Sequence, residues 1–110
     1  MKRIFALIVL AMTLPVLAAA ESWTNAALID TECANKVKAD PDAHTRACAL
    51  ACAKGGFGIV DKDGNYLKFD AKGNAEALKL LQATTKKDHI RVNVTGEKDG
   101  DVIHVQSVKM

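Results

Sequence analysis

The chain has 110 residues, of which 49% are hydrophobic and 25% are charged, and its formal net charge is +2. Loss of residues 1–20 would remove two of the 15 basic residues and leave 13 against 13 acidic ones. The charges then balance and the sequence has no run of basic residues, so we do not expect the protein to bind nucleic acid.

The first 20 residues have the pattern of a cleavable secretory signal peptide. Two basic residues precede an apolar run over Ile4–Leu14, and three alanines at 18–20 suit a signal peptidase. The apolar run is shorter than the roughly 20 residues that cross a bilayer, so we expect no membrane span. We therefore expect an exported protein, periplasmic or secreted, with one domain over residues 21–110.

The first half of this domain predicts one strand and one helix. Residues 23–30 have the length and flanking residues of a strand. Asp40 followed by Pro41 predicts a helix start, and Gly55-Gly56 predicts its end. We therefore expect an alanine-rich helix over residues 41–54, narrow enough to pack closely on a sheet.

Two short apolar runs at 57–60 and 66–69 flank a polar segment that is typical of a hairpin turn. Asn74 then predicts the cap of a second helix over residues 75–83, since alanines and leucines recur there at helical spacing. These leucines are expected in the core.

The last segment predicts a second hairpin. Apolar and polar residues alternate from Ile90, a turn is expected at 96–100, and a final strand at 102–108. The order of elements matches a small α+β, mainly β fold, a five-stranded OB-like barrel. A cysteine-bearing helix is inserted after strand 1 and a second helix precedes strand 4.

Several segments also carry a resemblance to known proteins: Asp30-Thr31-Glu32-Cys33, His44-Thr45-Arg46-Ala47-Cys48, Ala51-Cys52-Ala53-Lys54-Gly55-Gly56, Asp63-Gly64 and Val92-Asn93-Val94-Thr95-Gly96. The chain resembles a family of short secreted bacterial proteins of unknown function, which have an OB-like barrel and a Cys/His-bearing helix. The resemblance covers most of residues 21–110. It implies export and a barrel fold, and it implies no particular activity.

The candidate site residues are Cys33, His44, Cys48 and Cys52. Three thiolates and an imidazole suit zinc, and thiolates also suit Cu(I). On a straight helix, residues 44 and 52 lie about 12 Å apart along the axis. We therefore expect one ion to be held by Cys48 with Cys52, or by His44 with Cys48, joined by Cys33. A site with all four ligands requires the helix to bend or to begin late.

A structural disulfide is the first interpretation of these cysteines and metal binding is its alternative, since exported cysteines are usually oxidised. It would join Cys33 to Cys48 or Cys52 and leave one thiol buried as a small apolar side chain. Closing a loop of about 15 residues stabilises a domain by on the order of 3 kcal/mol. A redox-active thiol is the third interpretation, and the position of Cys48 and Cys52 away from a helix N-terminus weakens it.

The function expected from these patterns is binding. The sequence has no Ser/His/Asp order, no paired-carboxylate motif and no phosphate-binding glycine loop, so we expect no enzymatic activity. We expect an exported module that binds an unknown small ligand or protein on its barrel face and is stapled by a disulfide from Cys33 to the 41–54 helix. The alternative is a periplasmic zinc- or copper-binding protein that uses the Cys/His cluster.

Overall fold

The structure, a computed structural model, describes residues 20–110, so residues 1–19 of the predicted signal peptide lie outside it. The elements in chain order are β1 (Glu21–Asp30), α1 (Ala34–Val37), α2 (Arg46–Ala51), β2 (Phe57–Val60), β3 (Tyr66–Phe69), α3 (Ala71–Ala83), β4 (Arg91–Asp99) and β5 (Val102–Lys109). Two 3-10 turns lie at Pro41–Ala43 and Ala53–Gly55.

The five strands form a closed barrel in the order β1-β2-β3-β5-β4. β1 pairs antiparallel with both β2 and β4, while β3 pairs with β5 in parallel. The register of β1 against β4 shifts between Trp23 and Ala26, and the residues from Ala27 onward also pair with β2. The predicted fold class, a small mainly-β barrel of the OB-like type with a helix before β4, is confirmed.

Apolar side chains from the strands fill the barrel, and α3 covers them. The most deeply buried large side chains include Phe57, Ile59, Leu81 and Ile103, each no more than 1% exposed. Burial of one such side chain stabilises a fold by roughly 1.5–3 kcal/mol. Ala77 and Leu81 of α3 belong to this core, as the helical spacing of the apolar residues predicts.

The inserted segment after β1 differs from the prediction, and the single helix over 41–54 is wrong. Pro41–Ala43 forms one 3-10 turn, His44 is extended with ψ of 129°, and α2 begins after Thr45. The Thr45 side chain accepts a hydrogen bond from the Cys48 amide at 3.1 Å and so caps the helix. The chain interrupts the helix at His44 because that side chain is used in a buried contact described below.

The second helix begins earlier than predicted. Asp70 is its N-cap, and its Oδ1 accepts a hydrogen bond from the Gly73 amide at 3.0 Å. The predicted cap, Asn74, lies inside the helix. Its Oδ1 accepts a hydrogen bond from the Phe57 amide at 2.8 Å and so joins α3 to the start of β2.

The last hairpin is longer than predicted. β4 continues through Gly96 to Asp99, and the turn lies at Gly100-Asp101. The register between β4 and β5 shifts between Thr95 and Gly96, so this glycine marks a strand irregularity rather than the start of a turn.

The contact between α3 and the barrel is closest at Gly73. A Cβ atom on this residue would lie 2.5 Å from Cγ2 of Val105 and 2.8 Å from Cβ of Phe69. Neither neighbour can move away easily, because both side chains belong to the core cluster. A side chain at this position therefore forces α3 away from β5.

We expect Gly73→Ala to lower the free energy of unfolding by about 1–3 kcal/mol, since overpacking outweighs the better helix propensity of alanine. Urea denaturation measures the change. Lys79→Ala, at an exposed position of the same helix, is the control and should leave stability almost unchanged. A Gly73→Ala variant as stable as the parent would contradict this description of the packing.

Candidate functional site

A carboxylate is buried at the point where β1 ends. Asp30 has no exposed surface, and its Oδ1 accepts a hydrogen bond from Nε2 of His44 at 2.6 Å. Its Oδ2 accepts a second hydrogen bond from the Cys33 amide at 3.1 Å. A buried carboxylate needs such partners because the loss of hydration costs several kcal/mol per ion. The contact joins the end of β1, the start of α1 and the extended residue before α2.

Two thiols lie beside this carboxylate. Ligand atoms of Asp30, Cys33 and Cys52 all lie within 4.8 Å of one another. Cys33 directly precedes α1 and Cys52 directly follows α2, so the ends of two short helices bring the sulfur atoms together. Both cysteines are partly exposed. Two sulfurs and a carboxylate oxygen are donor atoms that zinc accepts.

The surroundings of both thiols disfavour the thiolate. Burial raises the pKa of Cys33, and the charge of Asp30 and a hydrogen bond to its carboxylate raise it further. A hydrogen bond to the Glu32 carboxylate, followed by burial and the charge of Asp30, raises the pKa of Cys52 to about 11. Without a bound metal ion, both cysteines are therefore protonated thiols at neutral pH.

Of the four residues predicted from the sequence, the structure brings Cys33 and Cys52 together. His44 joins them indirectly, through its hydrogen bond to Asp30. Cys48 is exposed on α2 and lies outside the group of donor atoms. No two sulfurs of the three cysteines in residues 20–110 lie at bonding distance in this structure, and the disulfide from Cys33 to Cys48 or Cys52 stays a prediction. The close pair is Cys33 with Cys52.

Two carboxylates of the site, Asp30 and Glu32, were not predicted. Both precede Cys33 within three residues, and Asp30 is the last residue of β1. An acidic residue at the end of an apolar strand, followed closely by a cysteine, is the signal that indicates them. The partner of Asp30, His44, lies 14 residues further along the chain. The burial of Asp30 therefore could not be predicted from the residues next to it in sequence.

Two arginines hold the cysteine segment, residues 31–56 between β1 and β2, against the barrel. Arg91 of β4 donates to both carboxylate oxygens of Asp42, at 2.8 and 3.0 Å. Arg46 of α2 donates to the carbonyl oxygens of Leu81 and Gln82, near the end of α3. The site is thus fixed to β4 and to α3 as well as to β1.

A separate cleft of about 650 Å³ lies away from the thiols. The first half of β1 and the turn between β2 and β3 form its walls, and its lining includes Trp23, Asn25, Lys62, Arg91 and Lys98. This volume falls in the range of small-molecule sites.

No protein-family profile, curated protein or solved structure matches this chain. The resemblance to secreted bacterial proteins therefore stays a prediction from the sequence. Within residues 20–110, none of the helices combines the length and the apolar character that crossing a bilayer requires.

We expect His44→Ala to lower the free energy of unfolding by about 3–5 kcal/mol, because it leaves the carboxylate of Asp30 buried without its main partner. Urea denaturation at neutral pH measures the loss. His104→Ala is the matched control, since His104 is exposed on β5 and its nearest acidic oxygens are 3.7 and 3.9 Å away. Equal stability of the two variants would show that the buried contact contributes little.

We expect Glu32→Gln to lower the pKa of Cys52 from about 11. The hydrogen bond from the thiol to the Glu32 carboxylate and, to a smaller extent, the charge of that carboxylate favour the neutral thiol, so replacing the carboxylate by an amide favours the thiolate. The pH dependence of alkylation, followed by mass spectrometry in a Cys48→Ser background, measures the change. Glu97→Gln, on the exposed part of β4, is the control and should leave the alkylation profile unaltered.

Proposed function

We propose that this protein is an exported metal-binding module that holds one zinc ion with Cys33, Cys52 and Asp30. The observation that carries the proposal is the approach of two thiols and one buried carboxylate to within 4.8 Å of one another. Zinc sites in proteins use sulfur, nitrogen and oxygen donors, and four is their usual ligand number. The Glu32 carboxylate, which raises the pKa of the Cys52 thiol, is the candidate for the fourth position.

The charge of the site supports a divalent ion. Two thiolates and the carboxylate of Asp30 bring three negative charges together, and Glu32 adds a fourth. Besides burial, the charge of Asp30 raises the pKa values of both thiols, and Glu32 raises that of Cys52. A dication compensates more of this charge than Cu(I) does, and carboxylate oxygen is a poor donor for the soft Cu(I) ion. We therefore favour zinc over copper.

His44 supports the site from outside the ligand set. It donates to Oδ1 of Asp30 while the Cys33 amide donates to Oδ2, and the two hydrogen bonds together orient the carboxylate. Hydrogen-bonded partners of this kind orient the ligands of metal sites and commonly change affinity by about 10–100-fold when removed. Cys48 has no role in the proposed site.

The location and the type of activity are also proposed. Export rests on the basic, apolar and alanine-rich pattern of residues 1–20. We propose binding rather than catalysis as the role of this domain.

A second candidate function is a ligand-binding module stapled by a disulfide between Cys33 and Cys52. The approach of the two sulfurs favours this pair over Cys33 with Cys48. The cleft beside Trp23 is the candidate surface for a small ligand, because it combines an aromatic side chain with Lys62 and Lys98. Protein isolated with this bridge and without stoichiometric metal would favour the second candidate.

We expect the reduced full-length chain to bind one zinc ion, as measured by competition with a chromogenic chelator. Co²⁺ should give sulfur-to-metal charge-transfer absorption, which reports thiolate ligands directly. Cys33→Ser and Cys52→Ser should each weaken zinc binding by more than about 100-fold, since each removes one of few ligands.

Cys48→Ser is the matched control, because it removes the exposed thiol of α2, one helical turn before Cys52. It should bind zinc like the parent. Equal loss in all three serine variants, or no zinc binding by the parent, would contradict the proposed site. Stoichiometric copper in place of zinc in the purified protein would contradict the choice of metal.

A further inference from the structure

The structure places the sulfur atoms of Cys33 and Cys52 near each other. Their sulfurs lie within 4.8 Å, whereas a disulfide bond is about 2.05 Å long. A change of one χ1 rotamer moves a cysteine sulfur by about 3 Å, which covers this difference. The bond is therefore within reach of side-chain rotation.

The positions of the two cysteines favour such a rotation. Cys33 lies between β1 and α1, and Cys52 lies between α2 and the 3-10 turn at Ala53–Gly55. Neither side chain lies within the regular part of a helix, and both are partly exposed. A soluble oxidant can therefore reach the sulfurs. Cys48, in contrast, lies inside α2 at one helical turn from Cys52, where a bridge would constrain almost nothing.

We propose that Cys33 and Cys52 form a redox switch that holds zinc when reduced and releases it when the two sulfurs join in a disulfide. This inference rests on the proposed zinc site, and it adds that the oxidation state of the two cysteines controls zinc binding there. A metal ion needs both sulfurs as thiolates, whereas a disulfide has used the same sulfur electrons in a covalent bond. The two states therefore exclude each other.

The oxidant is a disulfide from outside the protein, of the class of oxidised glutathione. One cysteine thiolate attacks it, forms a mixed disulfide and displaces one thiolate. The second cysteine thiolate attacks the mixed disulfide at the protein sulfur, forms the bond between Cys33 and Cys52 and displaces the other thiolate. Two electrons pass to the external disulfide, Zn²⁺ leaves, and the two displaced thiolates take up two protons.

The fold tolerates both states because Asp30 does not depend on the metal for a partner. Its oxygens accept hydrogen bonds from His44 and from the Cys33 amide. The main core cluster lies within the barrel and includes neither thiol. Oxidation therefore changes the site and leaves the barrel closed.

The test begins with the metal-free, reduced full-length chain, which is treated with oxidised glutathione and digested with trypsin. A bridge from Cys33 links the fragment that ends at Lys36 to fragment 47–54. That second fragment contains both other cysteines, so the assignment uses variants. We expect Cys48→Ser to form the linked pair as fully as the parent, and we expect Cys52→Ser to lose it.

The second arm uses the zinc-loaded parent and Cys48→Ser, with a chromogenic chelator to detect released metal. We expect release of one zinc ion per bridge formed, and recovery of binding after reduction. Zinc retained after the bridge has formed, or linkage through Cys48 in the parent, would overturn the switch. A bridge in a protein that never binds zinc would overturn the proposed function instead, so the two failures are distinguishable.

Discussion

The hydrogen bond between Asp30 and His44 is the contact on which the cysteine segment depends. It joins residues 14 positions apart, one at the end of β1 and one just before α2. Since a buried carboxylate without a partner is costly, the chain between them must follow a path that returns His44 to the strand. That path brings the end of α2, and with it Cys52, back to Cys33.

The cysteine segment also has an apolar cluster of its own, apart from the main core. Ile29, Ala34 and Val60 are buried there, and Val37 and Tyr66 pack against them. Burial raises the pKa of Tyr66 to about 12, so its hydroxyl stays protonated and donates to the Ile29 carbonyl at 3.0 Å. This cluster joins α1 to β1, β2 and β3, and it shares no residue with the core cluster inside the barrel.

The barrel could be predicted from the sequence, but the arrangement of the site could not. Strands β2 and β3 follow directly from short apolar runs around Asp61–Asn65, where the turn is encoded locally. The helix over 41–54 was wrong because alanine propensity does not reveal that His44 is needed elsewhere. Likewise, Asn74 resembles a cap in sequence, yet it serves the amide of Phe57. In each case a partner distant in sequence decided the conformation.

The pairing between β3 and β5 is the shortest seam of the barrel, with Lys68 opposite Val102 and Phe69 opposite Ile103. We expect a seam with so few pairs to open before the longer seams of the same sheet, because fewer backbone hydrogen bonds must break. In the strand order of this barrel, the seam lies across from β1, which carries Asp30. We therefore expect local opening of the sheet to occur on the side of the barrel opposite to the strand that carries the buried carboxylate.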